Sequence, residues 1–490
     1  MDLLISMLTL VSGIAILSFL FVTTAFLLTR VPRRSSGDQG TGRHGRPIQV
    51  ADRAVSHRAL VQHSAAFLER PASAVVSAVL SRNRHYNILS APYGPYWRAA
   101  RRNMAAGVLH SSRIRQLHET RARALGVLVR DLESGAPVRE SLHFAVFCVL
   151  AEICFGKDVV SRLGEPCLRA MEKLQQDILR ALTSSGPLMR YPMITKLFYP
   201  SRLRRRQALR RRQEELFLPL VAEARNRKAD DAGDGSRATT TTYVESLVDL
   251  RIHGDGDRSV TDGELVSLIS EFLGAGAEST AVALEWTMAN LVKYPKLQQK
   301  LRVEVDAVAS GEGYVEESDM SRMPYLKAVV MESLRRHPPV PSVERDVGGE
   351  EAARVLGVSG GLLPGPGGGA TVHFLLGKLG HDPAMWSDPM AFAPERFMPG
   401  GEGEGVDLTC TRELKMMPFG AGRRMCPGLA TGMLYMEYFV ANLVRAFEWR
   451  AADGDEVDLA EFQGFLFTTM RRPLRARIVP RGETAARPAM

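Results

Sequence analysis

FGAGRRMCPG, Phe419 to Gly428, holds one cysteine in a loop of glycines and arginines, just ahead of a long apolar helical run, Leu429 to Arg445. The chain has five cysteines, Cys148, Cys154, Cys167, Cys410 and Cys426, and no C-x-x-C pair, which speaks against a zinc knuckle or a dithiol redox site. An odd count rules out a complete intramolecular disulfide framework. Gly420 and Gly422 permit a tight turn ahead of Cys426. Backbone N–H groups at the start of the following helix stabilise an anion, and Arg424 is placed to pair with a carboxylate.

The composition around this loop bounds the fold. The chain has 490 residues, 45% hydrophobic and 24% charged, ordinary for a globular protein with a sizeable core. Its net charge of +9 allows nucleic acid, an anionic membrane or an acidic protein as partner. The N-terminus chooses among these. Leu3 to Thr29 (LLISMLTLVSGIAILSFLFVTTAFLLT) carries no charge and is long enough to span a bilayer as a helix. A cleaved signal peptide fits less well: the run is too long, the start carries Asp2 rather than a cation, and no small-x-small site follows. Residues 1–29 therefore read as a transmembrane anchor. Arg30, Arg33 and Arg34 follow at once and hold the body of the chain in the cytosol. No N-x-[ST] acceptor occurs, in keeping with that orientation.

Residues 30–46 read as a flexible linker, residues 47–480 as one mainly α domain with a minor β-sheet, and residues 481–490 as a tail. Helical spacing dominates, as over Ser111–Leu132, Ser141–Phe155, Arg210–Arg227 and Glu264–Lys293. Lys228–Thr242 reads as a low-complexity loop. Ala352–Val358 and Ala370–Phe374 read as short β segments around the breaker Gly360–Gly369, which lacks the Gly-Lys-Ser/Thr ending of a phosphate cradle. Gly464–Met470 and Leu474–Val479 suggest a late hairpin. Ser201–Arg212 carries seven arginines. Followed by Glu214 and Glu215, with Leu216, Phe217 and Leu220 as an apolar stripe, it reads as a solvated helix face rather than a nucleic-acid surface.

A lone thiolate without neighbouring ligand residues suits a metal that brings its other ligands with it, as haem iron does; the alternative is a buried, inert cysteine. Phe419, Gly422, Arg424, Cys426 and Gly428 reproduce the F-x-x-G-x-R-x-C-x-G signature, and here the chain resembles the cytochrome P450 haem-thiolate monooxygenases. The resemblance extends from about Pro47 to Val479. YGPYWRAARRN and DPMAFAPERF look like the plant A-type clan, nearest to family eighty-nine with family seventy-seven as a neighbour.

The resemblance gives further motifs a role. In ESLRRHPP, Glu332 and Arg335 share a helix face; with Arg396 of APERF they would form the family's buried triad behind the haem, three residues of net positive charge that need hydrogen bonds to be tolerable. Trp97 and Arg101 of YGPYWRAAR, four apart on one helix face, would reach a haem propionate, as would Arg424. EFLGAGAEST, Glu271–Thr280, puts glycines inside a strong helix pattern, which a backbone opened or approached closely would explain. There Ala275 and Gly276 match the oxygen-binding pattern of the family, and Glu278 and Ser279 would relay protons. Ser279 stands where threonine is usual, keeping the hydroxyl without the methyl that fixes its rotamer, while Thr280 lies about 100° further round.

As the resemblance implies, Cys426 is the axial ligand of a non-covalent haem b, since no C-x-x-C-H occurs. Electrons come from NADPH through a cytochrome P450 reductase, steered to the thiolate side by Arg98, Arg102 and Arg423. One oxygen atom is inserted into a lipophilic small molecule lined by Leu268–Ala275, Val340–Val343 and Phe465–Thr469. The family also implies single-pass residence in the endoplasmic reticulum membrane. Two departures stand out. Ser35–Arg46 leaves no room for the family's first helix and first strand, and Ser342 falls near the place of a propionate-holding histidine or arginine. They keep two other readings open: a haem-thiolate isomerase or dehydratase, and a membrane-anchored haem-binding protein or inactive relic.

Overall fold

A computed structural model describes residues 47–71, 87–183, 200–234, 241–309, 313–358, 370–452, 456–464 and 466–481. The expected anchor (1–29), the linker (30–46), the Gly360–Gly369 breaker and residues 482–490 lie outside the described residues.

The fold is mainly helical with small sheets. The elements that build the site are, in chain order, β1 (Ile48–Val50), α1 (Pro95–Arg102), α2 (His118–Glu133), α3 (Val138–Phe155), α4 (Val159–Thr183), α5 (Pro200–Asp234), α6 (Asp262–Lys293), α7 (Pro295–Val308), α8 (Pro324–Arg336), β2 (Ser342–Val347), β3 (Ala370–Leu375), α9 (Leu429–Ala446), β4 (Phe447–Ala451), β5 (Glu461–Gln463), β6 (Thr468–Met470) and β7 (Ala476–Pro480). The central pair is α3 and α6. Nearly every side chain of α3 is buried, because its sequence is apolar all round rather than along one stripe. Each fully buried leucine or phenylalanine there contributes roughly 1.5–3 kcal/mol relative to exposure.

α6 starts at a reciprocal capping box between Thr261 and Glu264 and runs 32 residues. It is long and apolar enough to cross a membrane, but most of it is buried in protein, so it is the spine of the core. Gly276 lies inside it, where a Cβ would press on Leu150 of α3 at 2.8 Å. Close approach of α3 accounts for this glycine, and α6 continues as helix through it.

Several expectations are corrected. α5 continues to Asp234, so the first part of Lys228–Thr242 is helix rather than loop; Ala229 and Ala232 are good helix formers. Ala352–Val358 lies largely in a helix, Glu350–Leu356, opened by acidic residues and closed by the left-handed Gly357. The two late strands exist but do not form one hairpin: β6 pairs back with β5, and β7 pairs with β4, the strand that leaves α9. A first strand is present after all. β1 pairs in parallel with β3, which pairs antiparallel with β2. The arginine-rich start of α5 is exposed along much of its length, but Arg206 and Arg210 are buried.

Candidate active site

A cavity of about 480 Å³ runs between α6 and the cysteine loop. Gly420 (φ +71°) and Gly422 (φ +70°) turn that loop through backbone conformations an L side chain rarely adopts. The Cys426 N–H then donates to the Phe419 carbonyl at 2.9 Å, closing it. Cys426 faces the cavity together with Phe419, Arg424 and Gly428 of its own loop, and with Ala275 and Gly276 of α6 on the same cavity. The thiol is deep in the molecule but open to this cavity. Burial raises its pKa, while the Gly428 N–H and the nearby Arg101 charge oppose the shift. Burial thus disfavours the thiolate, and one backbone donor ahead of α9 and one cation work against that.

Arg70, Arg101 and Arg424 line this space, and Arg345, off the cavity wall, lies within reach of the Arg70 and Arg424 charges. Arg101 donates to the Met425 carbonyl, and Arg424 donates to the Ala91 carbonyl at 2.8 Å and lies 4.9 Å from the Trp97 ring centre. Arg70 and Arg345 donate to one shared acceptor, the Glu344 carbonyl, at 3.2 and 2.8 Å. The Nε groups of Arg70, Arg345 and Arg424 are buried without a hydrogen-bond partner. Burial and then mutual repulsion hold the cations below their ordinary pKa: Arg70 falls to about 10, under burial and the Arg424 charge, and Arg345 is pushed well down by burial, Arg70 and Arg424. Buried cations with spare donors call for an anion. The two carboxylates of haem fit these arginines, and the Cys426 thiol fits its iron.

The geometry revises several assigned roles. The Trp97 indole N–H is committed to the Ile88 carbonyl at 3.0 Å, so it shapes the wall rather than donating into the cavity. Ser342 lines the cavity, yet the charge expected near it comes from Arg345, three residues on in β2, and from Arg70. Ser279 lines the cavity and donates to the Ala275 carbonyl at 2.8 Å; Thr280 also reaches the wall. Glu278 does not line it. Its carboxylate lies 3.2 Å from His143 of α3, whose other ring nitrogen meets Glu172 of α4. The carboxylate of α6 that faces the cavity is Glu271, which accepts the N–H groups of Ile88 and Leu89 at 2.8 and 2.6 Å. Burial raises its pKa to about 7 against those two donors and the Arg70 and Arg101 charges.

Glu332, Arg335 and Arg396 come together as expected. Arg335 makes two bonds to Glu332, at 2.6 and 2.8 Å, and the Arg396 Nε lies 3.4 Å from the same carboxylate. A fourth member, Glu402, pairs with Arg396 and brings the cluster to zero net charge. Its glycine-flanked stretch, PGGEGEG, carried no signal for this. Arg98, Arg102 and Arg423 are exposed. Of the expected lining, Phe465 lies outside the described residues, and Leu268, Ile269, Leu273, Pro341, Thr468 and Thr469 are not on the cavity; the rest, Leu466 and Phe467 among them, are.

A sequence model of the family described as Cytochrome P450 matches residues 45–476. Cytochrome P450 89A9 of Arabidopsis thaliana is 39% identical over 89% of this chain and 84% of its own length. A flavonoid 3'-monooxygenase of the same plant is 27% identical over 89% and 83%. Among solved structures, a zebra fish cytochrome P450 recorded with progesterone superposes with a TM-score of 0.70 at 21% identity, covering 90% of this chain and 96% of that one. That likeness carries the fold alone.

Proposed function

Since the chain belongs to the cytochrome P450 family and is a monooxygenase of that family, we propose that it inserts one oxygen atom of dioxygen into a lipophilic small molecule, using electrons passed from NADPH by a reductase. Haem held here supplies the activation of dioxygen. The single observation that carries the reading is the meeting of Cys426, Ala275 and Gly276 on one cavity of about 480 Å³ beside the spare arginine donors.

In this reading Cys426 would hold the haem iron through its sulfur, with the Gly428 N–H and the Arg101 charge opposing the rise in pKa that burial imposes. Arg70, Arg101, Arg345 and Arg424 hold the carboxylates. The Ser279 hydroxyl, now on the Ala275 carbonyl, turns to hand a proton into the cavity. Glu278 acts through His143 rather than as a free acid on the cavity wall. The exposed Arg98, Arg102 and Arg423 form the docking face for an acidic partner. Residues 1–29 anchor the chain in the endoplasmic reticulum membrane with the catalytic domain, residues 47–480, in the cytosol.

The test is the carbon monoxide difference spectrum of the reduced protein, followed by NADPH consumption with a plant reductase. A Soret band at the thiolate position with turnover is expected. The band without turnover turns the reading toward an isomerase or a binding protein, and no band overturns it.

A further inference from the structure

The cavity wall away from Cys426 carries a polar cluster drawn from three helices. Gln175 of α4, Arg210 and Gln213 of α5, and Ser267 and Ser270 of α6 all line it. Gln175 and Gln213 are 2% exposed and Arg210 is 6% exposed, so none is a surface group. Their hydrogen bonds form a chain with a direction. Arg210 donates to the Gln213 amide oxygen at 3.4 Å and to the Ser267 hydroxyl at 3.2 Å. The Gln213 NH₂ donates to the Ser270 hydroxyl at 2.5 Å, and that hydroxyl donates to the Gln175 amide oxygen at 2.8 Å. The chain ends on the Gln175 NH₂, which has no partner.

Each link fixes the next. With the Ser270 proton spent on Gln175, the Gln175 amide is oriented with its donor end left over. A buried amide donor without an acceptor is costly and rare, and groups left this way point to an acceptor supplied by something else. Arg210 is itself paired with Glu214 at 3.0 Å, so the wall offers donors without a large net charge. Ser267 and Ser270 precede Ala275 and Gly276 by five to nine residues of one helix, or roughly 8–14 Å along its axis.

We infer that the substrate is amphiphilic: an apolar body over Ala275 and Gly276, with a carbonyl or carboxylate oxygen held by Gln175, whose side chain packs beside Gly274 of α6. This rests on the monooxygenase reading and narrows it from any lipophilic molecule to one that carries an oxygen acceptor on an apolar body.

The test uses haem-loaded protein and three probes with one chain length: dodecanoic acid, methyl dodecanoate and dodecyltrimethylammonium, with affinities from calorimetry. The acid, the ester or both should bind at least tenfold tighter than the ammonium probe. Gln175→Leu should erase that preference. Gln175→Glu, which keeps the volume and exchanges donor for acceptor, should reverse it. The acid far above the ester identifies a carboxylate, and equal affinities a neutral carbonyl; either supports the inference. Equal binding of all three probes, binding of none, or a preference unchanged in both variants overturns it and leaves the cluster as a clamp between helices. The carbon monoxide spectrum is recorded on every sample. Its absence in the wild type sinks the monooxygenase reading, while the probe ranking, read by heat, still decides this one.

Discussion

Arg335 and Arg345 stand in opposite electrostatic states. Arg335 is fully enclosed, and all five of its N–H donors are used: two on Glu332 and one each on the Gly380, Pro389 and Ala391 carbonyls. With Arg396 and Glu402 the charges cancel within the protein. Arg345 is just as enclosed, yet among the described residues it makes one hydrogen bond, its Nε has none, and its nearest charged company is Arg70 and Arg424. The same residue type thus marks two purposes. A closed cluster holds the protein together whether or not anything is bound. An open cluster is destabilising until an anion arrives, and so it records the shape of a ligand in the protein's own discomfort.

Glu332→Ala should show the largest effect on this contrast. It strips Arg335 of its counter-charge at a fully buried position, at about 3–5 kcal/mol, and folded protein should fail to accumulate, as read by denaturant unfolding and soluble yield. A loss near zero would mean the closed cluster is not what holds α8 to the Pro394–Phe397 turn.

A third cluster sits between these two. His143 is closed by Glu172 and Glu278 only while it keeps its proton. Burial works against its charge, but the two carboxylates raise its pKa from 6.5 to about 9. A raised folded-state pKa gives stability that is fully present below 6.5 and is lost as pH climbs through 9. The melting temperature should therefore fall across that window, by an equivalent on the order of 1–3 kcal/mol, and His143→Phe should flatten the profile. An unchanged slope in the variant would remove His143 from the comparison.

Arg345→Met separates the open cluster from the closed one by sign. Haem-free protein should be unchanged or more stable, by about 1 kcal/mol, because repulsion with Arg70 and Arg424 is relieved. Haem loss from the loaded protein, followed by transfer to an acceptor globin, should speed up about tenfold. Loss of stability in the haem-free state would break the contrast. The smallest effect expected is in Ser279→Thr. A methyl there restricts the rotamer of a hydroxyl that is now held only by the Ala275 carbonyl, so peroxide formed per NADPH should fall, and equal coupling in both proteins would refute it.

The parts of this site that are local in sequence were legible there. The cysteine loop, the Glu332–Arg335 pair one turn apart and the small residues Ala275 and Gly276 each declare themselves within ten residues. What could not be read is what the fold brings from afar. Arg70 and Arg345 meet only because a strand-side segment folds beside β2. Glu278 looked like a cavity acid because nothing in its neighbourhood shows His143, which arrives from α3. Arg206 and Arg210 were hidden inside a run that is otherwise largely a solvated face, since two buried positions in a basic helix leave the composition unchanged. The late strands were visible by their β-branched content, but partner choice was decided by α9 ending beside β7 rather than by adjacency.

Gly422 has a consequence for the order of assembly. Any side chain there would overlap the Leu60 carbonyl oxygen, so the turn that aims the sulfur rests against backbone from near the opposite end of the domain. The turn that aims the Cys426 sulfur can therefore take its final pose only once the distant Leu60 segment has docked against it.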